Sequence, residues 1–194
     1  MASVVLSGDT SGSVTIAAPA VAGSTTQTLV AATGTLAPLI AGTAQTASGS
    51  NVDFTSIPSW VKRITVMFSG VSFSATPTAF TFIQLGTGAT PTYTTSGYGS
   101  SIATLTASAA STSNQTTGFG VLNPGSSTVL YGGSFTVTNL SGNVWACTGS
   151  ACDASAARVY LASGTISLAA ALTAVRFTAG ADSFDAGTIN ILYE

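Results

Sequence analysis

From residue 52 onward, hydrophobic and polar positions alternate along the chain with a period of two, the spacing of strands with one buried face. In the run Arg63-Ile64-Thr65-Val66-Met67-Phe68, the side chains of Ile64, Val66 and Phe68 share one face. Phe80 and Phe82 alternate with Thr81, while Ile83 and Leu85 make the other face apolar as well. Phe135 and Val137 alternate with Thr136 and Thr138, and Leu140-Ser141-Gly142-Asn143 reads as a turn into Val144 and Trp145, giving a hairpin. Val175 and Phe177 flank Arg176, and in the last strand Ile189, Ile191 and Tyr193 point inward. No window sustains a helical period; the nearest, Ala169 to Ala174, is short. The segment Gly86–Asn114, rich in Gly, Thr and Ser, reads as a long loop around one short strand near Ser101–Leu105. The fold class expected is all-β: a short-stranded antiparallel β-sandwich or jelly roll over residues 53–194.

The first part of the chain is built differently. No aromatic residue precedes Phe54, and before it Asp9 and Asp53 are the only charges. Ser13-Val14-Thr15-Ile16 and Thr28-Leu29-Val30 read as short strands, with Pro19 and Gly23 between them. The largest side chains there are Val14, Ile16, Val21, Leu29 and Val30, too few to hold a free-standing structure, since two paired strands alone are marginal in water. Residues 1–42 are therefore expected to form an extended arm that packs on another chain through these five residues. Residues 43–52, within AGTAQTASGSN, read as a flexible linker.

Charge sharpens this picture. Charged residues make up 5% of the chain, far below the ~25% of an ordinary soluble domain. Mean hydropathy is +0.51, yet the longest apolar run, Leu168–Leu172, falls well short of the ~20 residues a spanning helix needs. Disordered chains combine low hydrophobicity with high charge, the reverse of this balance. Four basic residues, of which only Lys62 and Arg63 are adjacent, leave no footprint for nucleic acid. MASVVLSGDT has no basic n-region and no long apolar core, so no secretory signal is expected. That argues against a pilus-like surface protein and for synthesis in the cytoplasm.

Candidate chemistry is sparse. The chain has no His, the usual general base and the commonest metal ligand, and no GxSxG, P-loop or GxGxxG. Neither a cofactor nor a metal is expected. Asp182 and Asp185 are the closest carboxylate pair and would be needed by a polysaccharide-degrading enzyme, but they read first as a turn before the final strand. Cys147 and Cys152 lie in CTGSAC, a spacing unlike a redox or zinc motif; a loop-closing disulfide and a pair of inert thiols both remain open. Tyr93, Tyr98 and Trp145, with Phe119, lie in loop-like stretches. Exposed, they would stack on the apolar faces of sugars, making the body a glycan-binding module; otherwise they complete the core or a subunit contact. Lys62 and Arg63 beside Trp60 read as a strand edge with outward charges or as a cation–π cluster. Asn114-Gln115-Thr116 and Asn139-Leu140-Ser141 match the glycosylation pattern by chance in a chain so rich in Ser and Thr.

Three stretches resemble a known group of proteins. SGDTSGSVTIAAPAVAG followed by TLVAATGT resembles the Ala/Gly/Thr repeat segments of fibre and other virion proteins of tailed bacteriophages. VDFTSIPSWVKRITVMFSGVS resembles the opening of a compact C-terminal domain in those proteins, and DSFDAGTINILYE its closing strand. The resemblance implies a homotrimeric structural virion protein, a short tail fibre or a fibre or decoration protein on the capsid. It brings no enzymatic residues; its expected partners are copies of itself, other virion proteins and a host surface glycan.

Overall fold

The computed structural model describes residues 3–7, 13–17, 37–153, 155 and 157–194. The chain divides into two compact units, Met1–Leu36 and Ala37–Glu194. The first contains β1 (Ser3–Ser7) and β2 (Ser13–Ala17), an antiparallel pair in which Val5 faces Thr15. The second begins with β3 (Ile40–Ala41), β4 (Gln45–Thr46), β5 (Asn51–Phe54), β6 (Arg63–Phe73), β7 (Thr81–Thr87) and β8 (Thr92–Tyr93). It continues through β9 (Gly99–Leu105), β10 (Ala110–Gln115), β11 (Phe119–Leu122) and β12 (Tyr131–Ser141). It closes with β13 (Val144–Asp153), β14 (Arg158–Ser167), β15 (Leu172–Thr178) and β16 (Phe184–Tyr193). The fold is all-β and antiparallel, a sandwich of a large and a small sheet. No described helix is long and apolar enough to cross a membrane.

The large sheet runs β10-β9-β14-β13-β12-β6-β16-β3, with β4 also on β16; the small sheet runs β11-β7-β15-β5, with β8 on β7. The alternation in the sequence places the core between them. Ile64, Val66, Phe135, Val137, Ile189 and Ile191 line the inner face of the large sheet, each at most 2% exposed. Ile83, Leu85, Val175 and Phe177 face them from the small sheet, all fully buried. Phe68 and Phe177 meet across the sandwich with ring centroids 4.9 Å apart, and Phe177 also packs on Phe184 at 5.5 Å. The expected hairpin is present: Asn139 pairs with Trp145, and Gly142 supplies the positive φ (52°) of the turn. The pairing of β6 with β16 slips register at Ala186 and again before Thr188. There Gly187 sits at φ 106° with its α-carbon so close to β6 that a Cβ would lie 2.5 Å from Val71 Cα, so only glycine permits this bulge.

Four expectations need correction. Five strands of the large sheet, β6, β12, β13, β14 and β16, are longer than expected at 10 or 11 residues, while β3 and β4 have two each. In β7 the core face is Thr81, Ile83 and Leu85, while Phe82 lies on the other side; Phe80, just before the strand, is partly buried against the core, its ring centroid 6.3 Å from that of Phe82. The stretch read as a long loop is two hairpin partners, β9 and β10, plus β8. Residues 43–52, read as a linker, belong to the body. Thr46 pairs with Thr188, the amide of Ala47 donates to Gly187, and Ala47 is fully buried.

Candidate functional site

The outer face of the large sheet is its most unusual surface. Cross-strand neighbours share a face, so the registers assemble complete rows. One row reads Asn114, Ser101, Ser163, Thr148, Thr136, Thr65, Leu192 and Ala41 across eight strands. The next reads Thr112, Ala103, Leu161, Ser150, Ser134, Met67 and Asn190. Neither row carries a charge. Leu161 of the second row is 44% exposed, and Val159 and Leu105 beside the rows are 40% and 38% exposed. The charge nearest these rows is Arg63 at the start of β6, paired with Glu194. At the sheet's free edge β10 is exposed along Ala110–Thr112 and has neither charge nor proline, the usual guards of an open edge.

A second cluster lies where β5 borders the small sheet. Arg176 stands opposite Asp53 in the β15–β5 ladder and donates from Nε (2.7 Å) and a terminal nitrogen (2.8 Å) to the two carboxylate oxygens. Its guanidinium lies 3.9 Å from the ring centre of Tyr93, which packs flat on Gly86. Hydrogen bonding to Asp53 raises the Arg176 pKa. Burial, reinforced by the Asp53 charge and opposed by Arg176, pushes Tyr93 up to about 12.

Asp53 also borders a cleft of about 370 Å³. One wall is the strap Ala41–Gln45 and the other the segment Asp53–Ile57, with Ile191 and Tyr193 of β16 between them. Backbone bonds pin both walls: Gly42 N–H donates to Ile191 C=O at 2.8 Å and Ile57 N–H to Thr173 C=O at 3.0 Å. The Gln45 side-chain amide donates to the Asp53 carbonyl at 2.8 Å, tying the walls together.

The candidate residues are dispersed. Tyr98 is 2% exposed, accepts the Leu85 amide on its hydroxyl at 2.8 Å and packs edge-on to Phe119 at 4.9 Å; burial pushes its pKa to about 12. Trp145 is 4% exposed. Both rings belong to the core, and Tyr93 is covered by Arg176, so the three do not form a stacking platform. The disulfide reading is also corrected: Cys147 and Cys152 are both free, one buried and one exposed. An odd separation along β13 sends their side chains to opposite faces, with α-carbons roughly 17 Å apart, beyond a disulfide's reach. Burial pushes the Cys147 thiol up to about 12.

Asp182 and Asp185 serve separate structural tasks. Asp182 accepts the amides of Thr78 and Ala79, both at 2.9 Å, and Asp185 accepts the Ser72 hydroxyl at 2.5 Å. Trp60 tilts against Tyr193 at 6.1 Å, and Lys62 donates to Asn139, so the basic pair forms a strand edge with outward charges. Of the arm residues, Val14 and Ile16 stand in β2, opposite Leu6 and Val4. Val21, Leu29 and Val30 lie outside the described residues, as does the strand expected at Thr28–Val30. Among the described residues no group of three His, Cys, Asp or Glu side chains is placed to hold a metal ion.

Sequence reasoning missed the cleft, because Gln45 fell in the supposed linker and Ser56 in an unassigned stretch. The available signal was Asn51-Val52-Asp53-Phe54, whose alternation marks β5. No protein-family model, curated protein or solved structure matches the chain.

Proposed function

We propose that the chain is a structural component of a tailed-bacteriophage virion, a short homotrimeric fibre of the tail or capsid. In this reading the N-terminal unit anchors it to other virion proteins and the β body associates with copies of itself. The chain carries no catalytic role, and its place is the virion, assembled in the host cytoplasm.

The observation that carries this reading is the pair of uncharged rows on the outer face of the large sheet, bordered at one end by the Arg63–Glu194 ion pair. Three such faces turned towards a common three-fold axis set the uncharged rows of each chain against both neighbours without like-charge repulsion. The two rows cross up to eight strands at ~4.8 Å spacing and take up about four residues at ~3.3 Å along each, a plane of roughly 450 Å². The unguarded edge at β10 and the Ala/Gly/Thr-rich N-terminal unit support the same reading, as does the resemblance at both ends of the body.

The test is antibody labelling of purified phage particles whose genome encodes the chain, compared with particles encoding it without residues 1–36. Label on the first and not on the second is expected. Unlabelled wild-type particles would contradict the virion assignment, and equal labelling of both would contradict anchoring by the N-terminal unit.

A further inference from the structure

We infer that the outer face of the large sheet joins neighbouring copies of the chain head to tail, Leu39 at the β3 end of one copy seating beside Leu161 at the β14 end of the next. This contact rests on the assembly reading above and specifies which parts of the face meet.

In a closed ring of three copies no two-fold axis relates neighbours, so each contact joins two different patches of the chain. The outer face carries two apolar patches, one at each end. Between them β13, β12 and β6 present mostly hydroxyls: Thr148, Thr136 and Thr65 in one row, Ser150 and Ser134 in the other. At one end Leu105 of β9 stands directly opposite Val159 of β14, and the exposed Leu161 follows two residues along the same face. At the other end Leu39, just before β3, is 61% exposed and lies near Leu192 of β16. Both patches leave apolar area in water that a contact between them removes.

Each exposed leucine borders a hollow. Leu39 stands at one of about 330 Å³, lined by Thr65, Thr136 and Leu192 and closed by the Arg63–Glu194 ion pair. Leu161 stands at one of about 350 Å³, lined by the small residues Ser101, Ala103 and Ser163. Head-to-tail placement brings each leucine to the hollow of the other end. Neither end meets an uncompensated charge, because the second hollow has none and in the first Arg63 and Glu194 neutralise each other. Two like ends set against each other form a two-fold contact instead, which closes at two copies.

The test is oxidative cross-linking of the full chain in a Cys152→Ser background, since Cys152 is itself exposed. Leu39→Cys and Leu161→Cys are made singly and together, and their masses are measured by light scattering before copper phenanthroline and air are added. Each disulfide joins two thiols, and oxygen takes up the two protons and two electrons released. Within one chain the two positions lie five strand spacings apart, roughly 24 Å, far beyond a disulfide's reach, so the double variant links only between copies. It is expected to run as a covalent trimer on a non-reducing gel, each single variant as one chain, and the two single variants refolded together as covalent dimers. A second check exchanges charge: Leu39→Lys and Leu161→Asp are each expected to lower the mass to one chain, and both changes in the same chain to restore at least half of the trimer. A double cysteine variant that is trimeric yet unlinked, a Leu161→Cys variant that links to itself, or a charge pair without recovery would overturn the head-to-tail contact and leave the assembly reading standing. A monomeric wild-type chain would overturn both.

Discussion

The tightest point of the large sheet is the ladder between β12 and β13, where Phe135 pairs with Gly149. A Cβ added to Gly149 would lie 2.4 Å from the Ser134 carbonyl oxygen, 2.6 Å from Phe135 Cα and 2.6 Å from Phe135 Cδ1. Carbon contacts are optimal near 3.5–4.0 Å, so the substitution Gly149→Ala requires about 1 Å of local separation between the strands. Two of the three contacts are to backbone, which no rotamer change relieves. Overpacking costs about 1–3 kcal/mol, and disturbing two flanking ladder bonds adds about 1 kcal/mol each. The expected destabilisation is therefore about 3–5 kcal/mol. Gly142→Ala is the control: that turn glycine has no atom within 4 Å of its added Cβ, and only its φ of 52° opposes the change, at a cost of about 1 kcal/mol. Urea unfolding followed by tryptophan fluorescence measures both, read as a shift in midpoint at constant slope. A Gly149→Ala protein within 1 kcal/mol of wild type would refute this pairing register.

Two further predictions follow from burial. Tyr98 and Cys147 hold folded pKa values of about 12, above ordinary values of 10.0 and 9.0. Their contribution to stability is complete below pH 9 and is lost as pH rises towards 12, at up to about 1.4 kcal/mol per pH unit for each group. Urea midpoints between pH 8 and 12 should fall accordingly, and a flat profile would contradict their burial. A colourless aromatic-disulfide reagent should titrate one thiol, Cys152, in the folded protein and Cys147 only after unfolding. Rapid reaction of both, or an intact mass lower by two hydrogens, would contradict their placement on opposite faces.

Much of the core was legible because its inward positions are large and its outward ones are hydroxylated, as in Ile64-Thr65-Val66 and Phe135-Thr136-Val137. The pattern failed where that contrast disappears. In β7 both faces carry apolar residues, and the buried one includes Thr81, while Phe82 packs over Gly118, whose added Cβ would lie 2.6 Å from Phe82 Cβ. In β9 and β10 the well-buried inward positions are Ser100, Ile102 and Gln115, too polar to stand out from the Ser and Thr around them. Tyr98 and Trp145 sit among glycines and small polar residues that imitate a loop, yet their rings fill the space those small neighbours leave. The strap before β5 escaped notice because β3 and β4 are two residues each, held to β16 by backbone bonds that leave no side-chain signature. Neither the uncharged rows of the outer face nor the cleft can be read without the register, since their members come from distant parts of the chain.

The central claim, that the outer face of the large sheet joins copies of the chain, is tested most directly by solution mass. Light scattering after size exclusion should give three times 19.0 kDa for the wild-type chain. Ser150→Glu, which places a carboxylate in the middle of that face, should reduce the mass to that of a single chain that still unfolds in one cooperative urea transition. A wild-type chain that is monomeric at every concentration, or a Ser150→Glu protein of unchanged trimeric mass, would contradict the account.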